Sequence, residues 1–162
     1  MQHPLDRCCM NFSETLDSIE QLLAHASLKS ESVSSKSIGW HLHHLSLTNV
    51  GVLYSLHKNE PGNFTEEKNR IRENVFGRGT IRRGVVQAPD AVNPEDVPQE
   101  ERIKALLEKQ RALFNTIDTL PASAYFQPPF MGPLNKKASI EFIVIHNKHH
   151  LSIAEEVLAA HR

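Results

Sequence analysis

Apolar residues recur at steps of three and four in four separate stretches of this chain, the spacing of a helix that buries one face. The last stretch is the most informative. From Ile140 to Leu158 its inward positions read Ile143, His146, His150, Ile153 and Val157, the seam of a helix packed in a bundle. Two of those positions are histidines one turn apart, so both imidazoles leave the same face. Such a pair on a buried helix commonly holds a divalent metal. The plainer alternative is two core histidines, each with a hydrogen-bond partner. His149 competes with His150, because i+3 also shares a face with His146; His150 keeps the seam running on to Ile153 and Val157.

The other stretches supply three more helices. The first runs from about Ser13, a fitting N-cap, to about Ala26, with Leu16, Ile19, Leu22 and Leu23 on one side. A serine-rich connection, 27–35, leads to a second helix that starts near Ser37 and ends before Pro61-Gly62. Its apolar stripe is Ile38, Leu42, Leu45, Val52, Leu53 and Leu56. A second stripe of His44, Thr48, Gly51 and Ser55 suits a close helix approach or a pocket. His41 lies nearer the apolar stripe than His44, so periodicity does not choose between them, and His43 points toward solvent. A third long helix runs from about Pro98 to Leu120, with acidic residues in its first turn and Ile103, Leu106, Leu107, Leu113, Phe114 and Ile117 inward. Pro121 stops it, the aromatic stretch from Tyr125 to Leu134 covers one end of the bundle, and Asn135 caps the last helix.

Between the second and third long helices, 60–98 holds a short charged helix over Glu66 to Phe76. Gly77, Gly79, Gly84, Pro89, Pro94 and Pro98 then predict a long ordered loop. Its arginines, Arg70, Arg72, Arg78, Arg82 and Arg83, are spread over turns and read as a solvated loop in preference to an anion clamp. The whole is an all-α four-helix bundle in one domain over 13–162, with 1–12 as an N-terminal extension.

Composition changes this picture in three places. Ten histidines are many for 162 residues, and six of them, His41, His43, His44, His146, His149 and His150, form two clusters about a hundred residues apart, as a site assembled between helices requires. A formal net charge of −1 gives no footprint for nucleic acid, and no apolar run reaches the ~20 residues that span a bilayer. No apolar stretch follows Met1, so the expected location is the cytoplasm, where the adjacent Cys8 and Cys9 would be free thiols.

The histidine clusters resemble a known family. Ser37-Ile38-Gly39-Trp40-His41-Leu42-His43-His44-Leu45 resembles the second-helix motif of the DinB/YfiT-like superfamily of metalloenzymes, in which a histidine follows an N-capping serine by seven residues. His146-Asn147-Lys148-His149-His150-Leu151 resembles that family's H-x-x-x-H motif in the last helix. Phe76-Gly77-Arg78-Gly79 with Ala88-Pro89, and Tyr125-Phe126 with Phe130-Met131-Gly132-Pro133-Leu134, resemble a subgroup of the superfamily. The resemblance covers the chain from about Ser13 onward. It implies an up-and-down-type four-helix bundle, often a homodimer, with a divalent metal, zinc or nickel, held by three histidines. By motif position those ligands are His44, His146 and His150.

Three imidazoles leave a coordination position open, the catalytic form of such a site. The chemistry that would follow is metal-dependent hydrolysis of a small-molecule substrate, or transfer involving a low-molecular-weight thiol, the latter because the superfamily includes thiol-dependent S-transferases. Glu141 and Glu155 are the visible candidates for a general base, and both fit a solvated flank better; Tyr54 and Asn147 are possible supporting groups. The absence of an assigned acid or base favours a competing reading, a non-catalytic, stress-related bundle that binds metal or another ligand.

Overall fold

The computed structural model describes residues 4–162, with side chains from Phe12 onward. Five α-helices and one two-stranded hairpin follow in order: α1 Pro4–Leu22, α2 Ile38–Lys58, α3 Arg70–Arg78, α4 Glu100–Asn115, β1 Tyr125–Phe126, β2 Leu134–Asn135 and α5 Lys136–Ala159. The four long helices α1, α2, α4 and α5 make the bundle, as the periodicity requires. The first helix begins nine residues earlier than Ser13, which lies exposed within α1. The Cys8 and Cys9 side chains fall outside the described residues.

The helix ends follow from local chemistry. Ser37 is extended and accepts the Trp40 N–H, and Asn135 in the same conformation accepts the Ala138 N–H, so α2 and α5 start where a side-chain oxygen satisfies a free donor. Asn69 caps α3 in the same way, and Gly79 ends it at φ 63°, the left-handed conformation that favours glycine. α4 lacks a side-chain cap but carries Glu100 and Glu101 in its first turn, where the helix dipole favours negative charge. It ends at Asn115, and a 3₁₀ turn over Ile117–Thr119 continues toward Pro121.

Pairings across the bundle give its topology. His41 meets His150 and His44 meets His146, so α2 and α5 are antiparallel. Asn49 meets Gln110 and His57 meets Thr116, both numbers rising together, so α2 and α4 are parallel. This departs from a simple up-and-down order. α2 spans 21 residues, about 30 Å of rise, and a parallel neighbour can begin only after the chain has returned that distance. Residues 59–99, with α3 inside them, make that return, which explains a loop of this length in a single domain. α1 closes the ring against α4 through the Phe12–Phe114 stack, ring centroids 4.1 Å apart, and through Arg111 with Glu20 at 2.8 Å.

The core runs the length of the bundle: Leu16, Ile19, Leu42, Leu45, Leu53, Leu56, Ile103, Leu107, Leu134 and Ile143 are all 0–2% exposed. α2 lies between α4 and α5, and every residue from Ile38 to Ser46 is buried. That overturns the solvated placement of His43, which turns toward α4 and is 5% exposed, with Arg102 among the charges acting on it. The stripe of small residues on α2 also differs from expectation. Gly51 is exposed, and a Cβ there would touch nothing within 4 Å, so neither a close helix approach nor an enclosed pocket explains it. The close approach is at Gly39, whose N–H donates to the Ala26 carbonyl at 2.8 Å. A Cβ at Gly39 would stand 2.9 Å from that oxygen.

Gly39→Ala must therefore push α2 away from the α1–α2 turn. The expected cost is about 1–3 kcal/mol of stability, read as a lowered midpoint in urea with an unchanged m-value. Gly51→Ala, with open space around it, is expected to be neutral or slightly stabilising by helix propensity.

Candidate metal centre

The first two turns of α2 and the middle of α5 face each other at one end of the bundle, and this crossing brings the two histidine clusters together. His44, His146 and His150 are 4%, 8% and 8% exposed. One ring nitrogen from each lies within 4.8 Å of the others. The His44 and His146 Nε2 atoms are 3.1 Å apart. Two nitrogens bound tetrahedrally to one zinc at ~2.0–2.1 Å stand roughly 3.3 Å apart, so this pair already has about the spacing of one edge of such a site. Among the described residues, this is the group of three side chains that can hold a metal ion.

His44 is oriented from outside the bundle. The long connection crosses over it, and the Val92 carbonyl accepts a hydrogen bond from Nδ1 at 2.6 Å. An oxygen acceptor there puts the proton on Nδ1 and leaves Nε2 a lone pair, the form that ligates a metal. Trp40 lies flat against the same ring, centroids 4.9 Å apart and planes 8° from parallel. The His146 Nδ1 is buried with no partner. Phe142, one turn earlier, covers that ring at 5.5 Å.

The rival histidines occupy different places. His41 bonds the His150 Nδ1 through its own Nδ1 at 3.0 Å and the Ser34 hydroxyl through Nε2 at 3.0 Å, and it lies outside the convergent group of three. His149 is half-buried and turns to the long connection, near the Ile81 backbone. Glu141 and Glu155 are both exposed, and Tyr54 is 49% exposed with Lys58 and Lys109 over its ring. Asn147 is buried, 1% exposed, with neither amide atom bonded.

Burial sets the charge state. It holds His146 and His150 well below the ordinary imidazole range, with neighbouring histidines adding to the effect, and it brings His41 down to about 4. His44 is lowered for the same reason, against the opposite pull of the Val92 carbonyl. Neutral imidazole is the ligating form, and no carboxylate intrudes on the donor set, so these residues fit a borderline divalent metal such as zinc or nickel.

Residues 80–98 act as a strap over this end. Trp40 Nε1–H donates to Pro94 O at 3.0 Å, the Ser37 N–H and hydroxyl both donate to the Asp96 carboxylate, and Arg83 meets Glu156 through two bonds of 2.7 and 2.8 Å. Arg83 is thus an ion-pair partner, and the glycine- and proline-rich stretch is ordered because the bundle end fastens it. Val92 acts through its backbone, which leaves no side-chain signal. Trp40, Ser37 and Asp96 were legible as residues but not as strap anchors. A cleft of about 460 Å³, lined by Ser18, His25, Glu155 and Arg162 among others, lies between α1 and the end of α5 and contains none of the clustered histidines.

A bundle with three buried, convergent imidazoles defines a class, helical proteins with an internal site suited to a metal ion. The chain belongs to the DinB superfamily, whose family model matches residues 5–154. Comparison with curated proteins and with solved structures returns no match. No described helix is long and apolar enough to cross a membrane.

The buried histidines make the metal-free protein acid-sensitive. His41 takes up a proton near pH 6.5 when unfolded and only near 4 when folded, so the unfolded state binds more protons between these values and stability falls as pH falls. Above about 6.5 no penalty remains. For His41 alone the full loss is on the order of 3 kcal/mol at or below pH 4. Urea midpoints measured in chelator from pH 7.5 down to 4 are expected to drop steadily; a flat profile would contradict neutral burial.

Proposed function

We propose that the protein binds a divalent metal, zinc or nickel, through His44, His146 and His150, and that it is a metal-dependent enzyme of the hydrolase or thiol-dependent transferase type. The observation that carries this reading is the meeting of three buried, neutral imidazoles with an outer carbonyl turning the His44 Nε2 inward. A divalent cation on three imidazoles supplies a Lewis-acid centre with at least one coordination position left for a substrate.

The chain's own residues do the rest. Trp40 and Phe142 wall the cluster with aromatic surface and hold the ring planes, which limits water and lowers the local dielectric. The strap sets the approach, since Val92 and Pro94 lie over the His44 side. A small molecule, or a low-molecular-weight thiol with a small electrophile, is the matching substrate class. A non-catalytic metal-binding role is favoured by one specific observation, the exposure of Glu141 and Glu155, which leaves the cluster without an inward general base from either. A water or thiol nucleophile activated at a metal loses its proton without such a base, which keeps both enzymatic readings open.

Elemental analysis of untagged protein tests the site. The expected result is near-stoichiometric zinc or nickel, reduced at least tenfold in occupancy in each of His44→Ala, His146→Ala and His150→Ala. No metal after reconstitution of the folded protein would reject the reading. Metal retained without metal-dependent consumption of either thiols or ester substrates would select the non-catalytic role.

A further inference from the structure

His41 stands beside the three-histidine cluster without belonging to it. It is 4% exposed, yet both of its ring nitrogens are bonded, Nδ1 to the His150 Nδ1 and Nε2 to the Ser34 hydroxyl, each at 3.0 Å. Trp40 meets its ring edge-on, centroids 5.1 Å apart and planes at 89°, which limits rotation. The Ser34 oxygen in turn accepts the Lys36 N–H at 3.1 Å and sits where the chain pairs Ser30 with Ser34 just before α2. Ser34, His41 and His150 therefore form a continuous chain from a tight turn to the cluster.

We propose that His41 is a positioning residue for metal binding: it accepts the Nδ1–H of His150 and so reserves the His150 Nε2 for the ion. The inference rests on the metal reading above and extends it to a residue outside the ligand set. Exactly one proton can lie between the two Nδ1 atoms. If it sits on His41, the His150 proton must be on Nε2, and that nitrogen cannot ligate. If it sits on His150, the His150 Nε2 is a lone pair, and His41 carries its own proton on Nε2 and donates it to the Ser34 oxygen. The second arrangement satisfies every atom in the chain, with the Ser34 hydroxyl hydrogen left to solvent on its half-buried side. His41 thus does for His150 what the Val92 carbonyl does for His44. Outer partners of this kind typically change metal affinity 10–100-fold.

Titration of the full-length, metal-free chain with zinc alone tests the proposal. His41→Phe keeps a planar ring but offers no acceptor, and zinc affinity is expected to fall about 10–100-fold. His41→Asn places an amide oxygen near the Nδ1 position and is expected to recover most of the affinity, whereas a merely space-filling role predicts the reverse order. Equal zinc affinity in wild type and His41→Phe would overturn the proposal and leave the three-ligand reading intact. Absence of zinc binding by folded wild type would overturn both. Long-range ¹⁵N–¹H NMR on the zinc-loaded wild type gives a second readout that needs no variant: His41 protonated at Nε2 and His150 at Nδ1 is expected, and His41 protonated at Nδ1 would contradict the assignment.

Discussion

Three imidazoles packed against one another under cover of a bundle cannot all carry charge, and the end of this molecule is built to keep them neutral and turned inward. The rings of His44, His146 and His150 have centroids 4.5–5.0 Å apart. Protonating even one of them places a cation beside its neighbours in a site that is at least nine-tenths buried. A divalent ion changes that balance by giving three lone pairs a common partner. The same burial that makes the cluster costly as a set of acids makes it suitable as a set of ligands.

The strap follows from the same geometry. Parallel α2 and α4 oblige the chain to travel the length of the bundle between them, and the return brings Val92, Pro94 and Asp96 to the N-terminal end of α2. A connection needed for topology thereby supplies the hydrogen bond that orients His44 and the carboxylate that closes the helix start. The turn before α2 supplies the corresponding support for His150 through Ser34 and His41. Two of the three clustered rings are thus held from outside by segments that are not part of the bundle, and His146, with an unpartnered Nδ1, is held by packing against Phe142.

Much of this was legible from residue spacing. Period-3.6 patterning placed all four long helices, Ser37 and Asn135 marked two of their starts, and the seam through His146 and His150 marked a buried face of α5. Other features were hidden for physical reasons. The start of α1 lies before its apolar repeat begins, where nothing in the pattern demands a helix. His43 was misplaced because angular position assumes one buried face, whereas α2 is covered on two sides near its start. The choice between His41 and His44 depends on which ring converges with those of His146 and His150, a property of the tertiary packing that spacing along a helix does not encode. The short β1–β2 hairpin, two residues per strand, is below the length at which alternation can be read.

X-ray absorption on protein reconstituted with zinc or nickel addresses the central claim most directly, because it reads the ligand atoms themselves. The account predicts a first shell of nitrogen and oxygen only, at about 2.0–2.1 Å for zinc, with the multiple-scattering signature of three imidazoles. Sulfur scatterers at about 2.3 Å would instead assign the ion to the cysteine pair near the N-terminus, and fewer than three imidazoles would contradict a site formed by His44, His146 and His150.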